Sequence, residues 1–566
     1  MSSFYFSTVH EYIDTMITIY IIFTIFLSLI HHLSGLNVLF ISIGRAGHVI
    51  PLFELAKAMH NHNVTFLTQR LATNYINFDL HSLPSTFRII YANDSFDGLL
   101  AEKQLEDDLN RELSSQSSEA RSRILVLMGQ TLTGILNKSI HTLTEERFDV
   151  IVVSMFAIAG KTFTLLCEKA QTPCVAINPA PFMESLDFNL PNTFSLLHRT
   201  DMYNIKHRLY NAIFNIRLII GFIYRLPVLS KMIEFFPNVP GPFQDSFTVK
   251  NILNSQPKYL ELICIPPTFY IPTYPNHYKK YLGVFIDETT MFLENNELKN
   301  WIQSKVENSV IYATFGSTSI IPSYRMRNLI IGLAMFLSQE SDSSVILAFR
   351  RDNLATFQAV LKTLDNREFI GILNNAERVR IEGGFVEQKW ILSQKSIKLF
   401  ISHCGMNSVM EALYLKKPIL CMPFSADQFN NAIIIDDKNL GLSLFTTMPL
   451  SKLLISPYSY TEYTFTAATV EQKLLNLWTN KTFEDEVRKM SLEMKHSGGI
   501  RRAIEEIEFY VELNGDLDRY APFHTTLPFY QRYLLDLIFI LVVLPSMIFI
   551  YLINICRRKQ RKIKAD

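Results

Sequence analysis

Leu399-Phe400-Ile401-Ser402-His403-Cys404-Gly405-Met406-Asn407-Ser408-Val409-Met410-Glu411 is the stretch that decides the fold. An apolar run predicts a strand that breaks at a polar, glycine-containing turn and then enters a helix. The first turn of such a helix presents backbone N–H groups without intrahelical partners, and with the helix dipole these favour a phosphate. Asn407 and Ser408 add side-chain donors beside that start, and His403 can donate to a second phosphate. Glu411, one turn on, can accept from two ribose hydroxyls. A second apolar run follows, Lys417-Pro418-Ile419-Leu420-Cys421-Met422-Pro423-Phe424, and then Ser425-Ala426-Asp427-Gln428. If the two strands are parallel neighbours, Asp427 and Gln428 reach the same edge of the sheet as His403.

The same grammar occurs earlier in the chain. Leu36 to Ile43 reads as a continuous buried strand, closed by the loop Gly44-Arg45-Ala46-Gly47-His48. Leu52, Leu55, Ala56 and Met59 follow at helical spacing, with Pro51 placed for a first helical turn, and a second strand covers Val64 to Leu67. The pattern restarts at Val310 to Phe315, with the turn Gly316-Ser317-Thr318, a helix through Met326 to Leu337, and a strand at Val345 to Phe349. Two βαβ openings predict an α/β fold of two doubly wound, mainly parallel sheets. Tyr270 to Leu298, with Pro272 and Pro275, reads as the linker between them. Leu209 to Phe236 is apolar and basic together; core helices of the first domain are the expected reading, and a lipid-facing surface the alternative.

Composition narrows the function class. The chain has 566 residues, 48% of them apolar and 19% charged, with 54 Lys+Arg against 53 Asp+Glu. That excludes a disordered chain and argues against a nucleic-acid binder. Its mean hydropathy of +0.13 points to membrane segments. Met16 to Ile30 is a charge-free run of 15, short for a span and suited to an export signal or an uncleaved anchor. Leu537 to Ile555 is a charge-free run of 19, interrupted only by Pro545, and Arg557-Arg558-Lys559-Gln560-Arg561-Lys562 follows it. By the positive-inside rule this is one membrane helix with a cytosolic tail, which places the body in the lumen. Six of the basic residues and one acidic residue fall in 557–566, so the remainder is acidic, 48 against 52. Lys562 and Lys564 sit five and three from the carboxyl terminus, similar to a KxKxx endoplasmic-reticulum retrieval signal; a plain stop-transfer cluster accounts for the charges as well. Sequons at Asn93, Asn137 and Asn480 are compatible with a lumenal body, while that at Asn63 falls in a predicted strand. The six cysteines form no CxxC and argue against a zinc site, leaving a disulfide open.

His48 stands at the end of the first strand. An imidazole with an ordinary pKa of about 6.5 is largely neutral at physiological pH and can take a proton from an attacking hydroxyl. His60 and His62 flank a helix end and are expected to be solvated. The pair Asp516-Leu517-Asp518 reads as solvated linker, and no metal is expected.

The segment from His403 to Gln428 resembles the signature of the UDP-glycosyltransferase family, membrane-bound animal type: HCGxNSxxE, then P, then DQ. Phe385-Val386-Glu387-Gln388 stands where the family has WVPQ, Phe315-Gly316-Ser317 matches its FGS turn, and Gly47-His48-Val49-Ile50-Pro51 its GHxxP motif. Phe529-Tyr530-Gln531 to Leu535-Asp536 matches an FYQxxxLD segment before the membrane helix. The resemblance implies a GT-B fold, two Rossmann-like domains facing across a cleft, with the donor on the second and the acceptor on the first. It implies the boundaries 1–34 for the signal, 35–286 and 287–520 for the two domains, 521–536 for a juxtamembrane segment, 537–555 for the membrane helix and 556–566 for the tail.

For the site it implies that Phe385 stacks on uracil and Gln388 bonds its edge or the ribose. Gly316 and Ser317 would approach the diphosphate, as would His403, Gly405, Asn407 and Ser408. Glu411 would hold the ribose, and Asp427 and Gln428 would meet the sugar. His48 would be the base, paired in the family with an Asp that aligns here with Ser154; Asp149 lies at the other end of that strand. Phe385 for Trp, Glu387 for Pro and Ser154 for Asp are the departures. The expected activity is inverting transfer of a hexose, glucuronic acid or glucose, from a UDP-sugar co-substrate to a hydroxyl of a small lipophilic acceptor at the endoplasmic-reticulum membrane, without nucleic acid or further cofactor. A homo- or hetero-oligomer stays open. The alternative is a non-catalytic UDP-sugar-binding membrane subunit.

Overall fold

The computed structural model describes residues 35–76, 83–92, 104, 107–108, 118–155, 157–179, 191, 195, 197–224, 258–270, 276–288, 291, 296–316, 319–384, 386–424, 427–445, 466–523 and 527–563. The expected signal (1–34), the sequon at Asn93 and residues 225–236 lie outside them.

The first sheet has seven strands: β1 (Asn37–Ser42), β2 (Asn63–Thr68), β3 (Phe87–Tyr91), β4 (Val150–Ser154), β5 (Cys174–Asn178), β6 (Leu260–Ile263) and β7 (Lys279–Tyr281). Their order is β3-β2-β1-β4-β5-β6-β7. β1 pairs parallel with β2 from Asn37↔Asn63 and with β4 from Val38↔Val150. Val38, Leu39, Phe40 and Ile41 are all inaccessible to solvent. A parallel strand covered by helices on both faces requires such a continuous apolar run, not an alternating one.

The second sheet has six strands: β8 (Val310–Thr314), β9 (Ser344–Phe349), β10 (Val379–Gly383), β11 (Ile397–Ser402), β12 (Ile419–Cys421) and β13 (Gly441–Ser443). The order β10-β9-β8-β11-β12-β13 repeats the first sheet's winding. In each sheet the direction of winding reverses between two central strands, β1/β4 and β8/β11. The loops leaving those strands diverge there, and the crevice they open is the usual ligand position of doubly wound folds. His48 and Ser154 follow one reversal; Gly316 and His403 follow the other.

The described helices of the first half are α1 (Ala46–Ala58), α2 (Ser118–Glu145), α3 (Ala157–Ala170) and α4 (Ile205–Tyr224). In the second they are α5 (Asn296–Gln303), α6 (Ser323–Gln339), α7 (Arg351–Leu361), α8 (Arg367–Leu373), α9 (Gln388–Ser393), α10 (Met406–Tyr414), α11 (Gln428–Asp437), α12 (Ala467–Thr479), α13 (Lys481–His496) and α14 (Gly499–Glu512).

Several sequence expectations change. α4 is not a core helix of the first domain. Tyr210 and Phe214 pack with Phe429, Ile433 and Phe445 of the second half, while Ile205, Leu209, Ile216 and Ile220 are exposed. The predicted linker contains β7, which joins the first sheet. Helix α14, assigned by sequence to the second domain, returns to the first and packs on α1. His62, expected to be solvated, is buried there: its Nδ1 accepts from the Leu36 N–H at 3.0 Å, and its Nε2 lies 3.0 Å from Glu508 of α14. Pro51 sits inside α1, not in its first turn, because the helix already begins at Ala46. Disulfides, left open by the sequence, join Cys167 to Cys174 and Cys404 to Cys421.

Residues 274–279 and 516–566 form a separate unit. Within it the Tyr278 hydroxyl accepts from the Leu517 N–H and donates to Asp518, both at 3.1 Å. Asp516 accepts from the Asp518 N–H at 2.9 Å, so both carboxylates of this DxD sequence serve a turn. The apolar helix Leu535–Ile555 has 21 residues and a mean hydropathy of 2.6, and is long and apolar enough to cross a bilayer. Phe539–Val543 form a π-turn just before Pro545. Proline cannot donate to the carbonyl four residues back, and a widened turn accommodates the ring without breaking the helix.

Candidate active site at the two sheet reversals

At the second reversal, β11 ends at Ser402 and the chain turns through His403, Cys404 and Gly405 into α10. Cys404 is held at φ +60, a left-handed conformation uncommon for a residue with a side chain. Three restraints hold it: the disulfide to Cys421 at the end of β12, the Ser402 Oγ accepting from its N–H at 3.1 Å, and the Asn431 Nδ2 donating to its carbonyl at 3.0 Å. The turn therefore presents the start of α10 in one fixed orientation. Gly405 is the N-cap and contributes no side chain; of the first N–H groups of α10, that of Met406 bonds to the Asp427 carboxylate.

The His403 ring is wedged between two glycines. A Cβ on Gly316 or on Gly405 would stand 2.5 Å from its Nε2, and Gly316 also has φ +70. Burial lowers the His403 pKa to about 4, so the ring is neutral and donates through a single nitrogen. From α9, the Gln388 Nε2 donates to Glu411 Oε2 at 2.6 Å and to Ser408 Oγ at 3.2 Å. Gln388, Ser408 and Glu411 are thus one hydrogen-bonded cluster at the start of α10. Burial raises the Glu411 pKa against the pull of Lys389 and Gln388.

Asp427 and Gln428 stand at the same edge but are engaged within the protein. Asp427 accepts from Asn431 at 2.8 Å, and Gln428, buried, accepts from the Phe424 N–H at 2.8 Å. Ser317 and Phe385 lie outside the described residues.

At the first reversal, the His48 Nδ1 and Ser154 Oγ are 3.0 Å apart. The alignment that put Ser154 in the partner position therefore describes a contact. In the tautomer with Nδ1–H donating to the hydroxyl, Nε2 is the proton acceptor. Desolvation, with a smaller contribution from the Arg45 charge, lowers the His48 pKa to about 3. Asp149 is occupied at the far end of β4, accepting from the Asn37 N–H at 2.7 Å.

Pro51 explains how the two edges meet. A helix residue donates its N–H to the carbonyl four back, and proline has none, so the Gly47 carbonyl loses its intrahelical donor. The Asn407 Nδ2 of α10 donates to that carbonyl at 3.2 Å. A residue in the first turn of α10 is thereby bonded to the neighbour of His48. Sequence reading missed a second link between the halves, Lys389 Nζ to Glu54 Oε1 at 2.6 Å. Its signal was a glutamate among Leu52, Leu55 and Ala56 on the buried side of α1.

The family model described as UDP-glucoronosyl and UDP-glucosyl transferase matches residues 59–565. The UDP-glucuronosyltransferase 3A1 of Xenopus laevis is 24% identical over 412 residues, 71% of this chain and 69% of that protein. The UDP-glucuronosyltransferase 3A2 of Mus musculus is 24% identical over 438 residues, 73% of this chain and 75% of that one. A UDP-glycosyltransferase of Talaromyces amestolkiae is 33% identical over 176 residues, 30% of this chain; the chain spans only 33% of that relative's length. Among solved structures, Os79 from O. sativa, in complex with U2F and trichothecene, superposes with a TM-score of 0.54 at 17% identity, covering 84% of this chain and 100% of that one. Phytolacca americana UGT2, complexed with UDP-2fluoro-glucose and pterostilbene, gives 0.51 at 15% identity over 84% and 98%. At such identities the likeness carries the fold, which is the GT-B arrangement of two Rossmann-type sheets.

Proposed function

We propose, for a chain that belongs to the UDP-glucuronosyl and UDP-glucosyl transferase family, inverting transfer of a hexose from a UDP-sugar to the hydroxyl of a small lipophilic acceptor. The observation that carries this reading is the 3.0 Å contact of His48 with Ser154, on a helix bonded through Gly47 to Asn407 of the phosphate-binding turn. The acceptor oxygen attacks the anomeric carbon as the bond to the diphosphate breaks, and the acceptor's proton passes to His48 Nε2. The α10 N-terminus, His403 and Ser408 take the charge that develops on the leaving diphosphate, a role that fixed donors and a helix dipole can fill. UDP-sugar is a co-substrate in this scheme, and the leaving group is stabilised without a metal. A span at Leu535–Ile555 with a basic tail supports a type I protein of the endoplasmic-reticulum membrane, its body lumenal.

The uncharged partner has a chemical consequence. A carboxylate would stabilise the imidazolium as it forms; a serine hydroxyl bonds the ring but brings no negative charge. His48 is also a weak base, its pKa held down by burial. Acidic acceptors suit such a base, so a phenol (pKa about 10) should outpace an aliphatic alcohol, whose acidity is near water's value of about 15.7. Full-length protein is assayed for UDP release with UDP-glucose and UDP-glucuronate against phenols, alkanols and sterols. Ser154→Asp is expected to raise turnover severalfold and to narrow the preference for phenols. The same hydroxyl favours a second reading, a UDP-sugar-binding subunit without turnover. UDP binding with no release on any acceptor, in both wild type and Ser154→Asp, would establish that reading and end the first.

The two glycines around His403 give a test of the donor half alone. Gly316→Ala adds a Cβ 2.5 Å from the ring at a backbone position that favours glycine. Strain of this kind costs about 1–3 kcal/mol, and UDP affinity by calorimetry is expected to fall about tenfold as His403 is displaced. Unchanged affinity would remove His403 from the diphosphate site.

A further inference from the structure

Lys389 is a largely buried ammonium that the transfer scheme does not use. It stands one residue past Gln388, at the start of α9, and its Nζ is 2.6 Å from Glu54 Oε1 on α1. The Glu54 side chain is 8% exposed, and Lys57 lies 3.1 Å from its other oxygen. Two charges removed from water at a seam between halves cost more than a surface pair, and deleting one partner strands the other. Such a pair therefore resists separation of the helices that carry it. Its placement matters because α1 also carries His48, and α9 carries Gln388, which is bonded to Ser408 and Glu411. Asn407 and Gly47 make a second link between α1 and the second half. α1 is itself packed on β1, β2 and β4 and against α14, so two attachments along it fix the approach of the second half to this helix at two points instead of one.

We infer that Glu54 and Lys389 are positioning residues for transfer: their ion pair fixes the angle of α1, and with it the reach of His48, over the bound donor. The inference rests on the glycosyl-transfer reading. Lys389 is also placed to act on the donor site electrostatically, since its charge opposes the rise of the Glu411 pKa. The two roles differ in what they predict. A role through Glu411 weakens UDP binding; a positioning role lowers kcat and leaves UDP affinity alone.

The test is a double-mutant cycle in the full-length enzyme, with Lys389→Met, Glu54→Gln and the double variant, and Lys389→Arg as the conservative replacement. Misplacing a catalytic group by about 1 Å can cost about 100-fold in rate, so each single variant is expected to lose 10- to 100-fold in kcat. UDP affinity is expected to stay within threefold of wild type. The double variant should be no worse than the poorer single, and Lys389→Arg should retain most of the rate. Amide exchange over Val49–Ala58 should quicken in both single variants, a readout independent of turnover. Additive losses in the double variant, or a fall in UDP affinity as large as the fall in kcat, would overturn the inference. If wild-type protein releases no UDP on any acceptor, the transfer reading itself has failed; if wild type is active and Lys389→Met is equally active, the inference alone has failed.

Discussion

His48→Ala is expected to lower kcat about 1,000-fold, within the range of about 100- to 10,000-fold assigned to general acid–base catalysis, and to leave UDP affinity unchanged. The separation follows from the two-sheet layout. Every described group proposed to hold UDP comes from the second half: Gly316, Gln388, His403, Gly405, Asn407, Ser408 and Glu411. His48 leaves β1 in the first half, and its Nδ1 contact is to Ser154 on β4 of the same sheet. Removing the imidazole should therefore remove the proton acceptor without disturbing the donor turn. The pH profile makes the same point. Because burial and Arg45 lower its pKa to about 3, His48 is already deprotonated throughout pH 5 to 8 and produces no acid limb in that range. The remaining rate of His48→Ala should accordingly follow the wild-type pH dependence. Initial rates at saturating donor, with UDP titrated by calorimetry, decide the matter. A variant within tenfold of wild-type kcat would exclude His48 as the base.

How much could be read from the sequence depended on how local each feature is. The turn from Ser402 to Glu411 was legible because strand, turn and helix start lie within ten residues, and their apolar and polar pattern fixes which groups reach the sheet edge. The pairing of His48 with Ser154 came from the family resemblance, which aligns Ser154 with the Asp position; the parallel β1–β4 register accounts for the two strand ends meeting. Contacts between the halves were not legible. Lys389 meets Glu54 across 335 residues and Asn407 meets Gly47 across 360, and neither separation leaves a periodic trace. His62, expected from the sequence to be solvated, is buried in part by α14, whose Glu508 lies 446 residues later and which packs back on α1. α4 was read as core because its composition is apolar; that composition instead supplies one face to Phe429 and Ile433 and leaves a row of isoleucines exposed. Pro51 was placed by its usual position at a helix start, and its actual role was in releasing the Gly47 carbonyl.

Glu411→Gln is expected to raise the KM for UDP-sugar about 30- to 100-fold while kcat falls little. The substitution keeps the size of the side chain and removes its charge. Hydrogen bonds to charged groups contribute roughly 1.5–3 kcal/mol each, against roughly 1 for neutral ones, and the carboxylate is proposed to accept from two ribose hydroxyls. The present partners would also be disturbed. Gln388 donates to Glu411 at 2.6 Å, and Lys389 has its charge balanced in part by the same carboxylate. An amide can present its NH₂ toward Gln388, a donor facing a donor. The wild-type pH dependence follows from the same group. Burial raises the Glu411 pKa, so as pH falls its protonated fraction grows sooner than for an exposed glutamate. The protonated acid is the weaker acceptor, and KM for the donor should rise on the acid side while that for the hydroxyl acceptor stays level. In Glu411→Gln that rise should vanish, because the titrating group is gone. A variant that keeps the wild-type acid limb in KM would show that some other group controls donor binding, and would remove Glu411 from the ribose site.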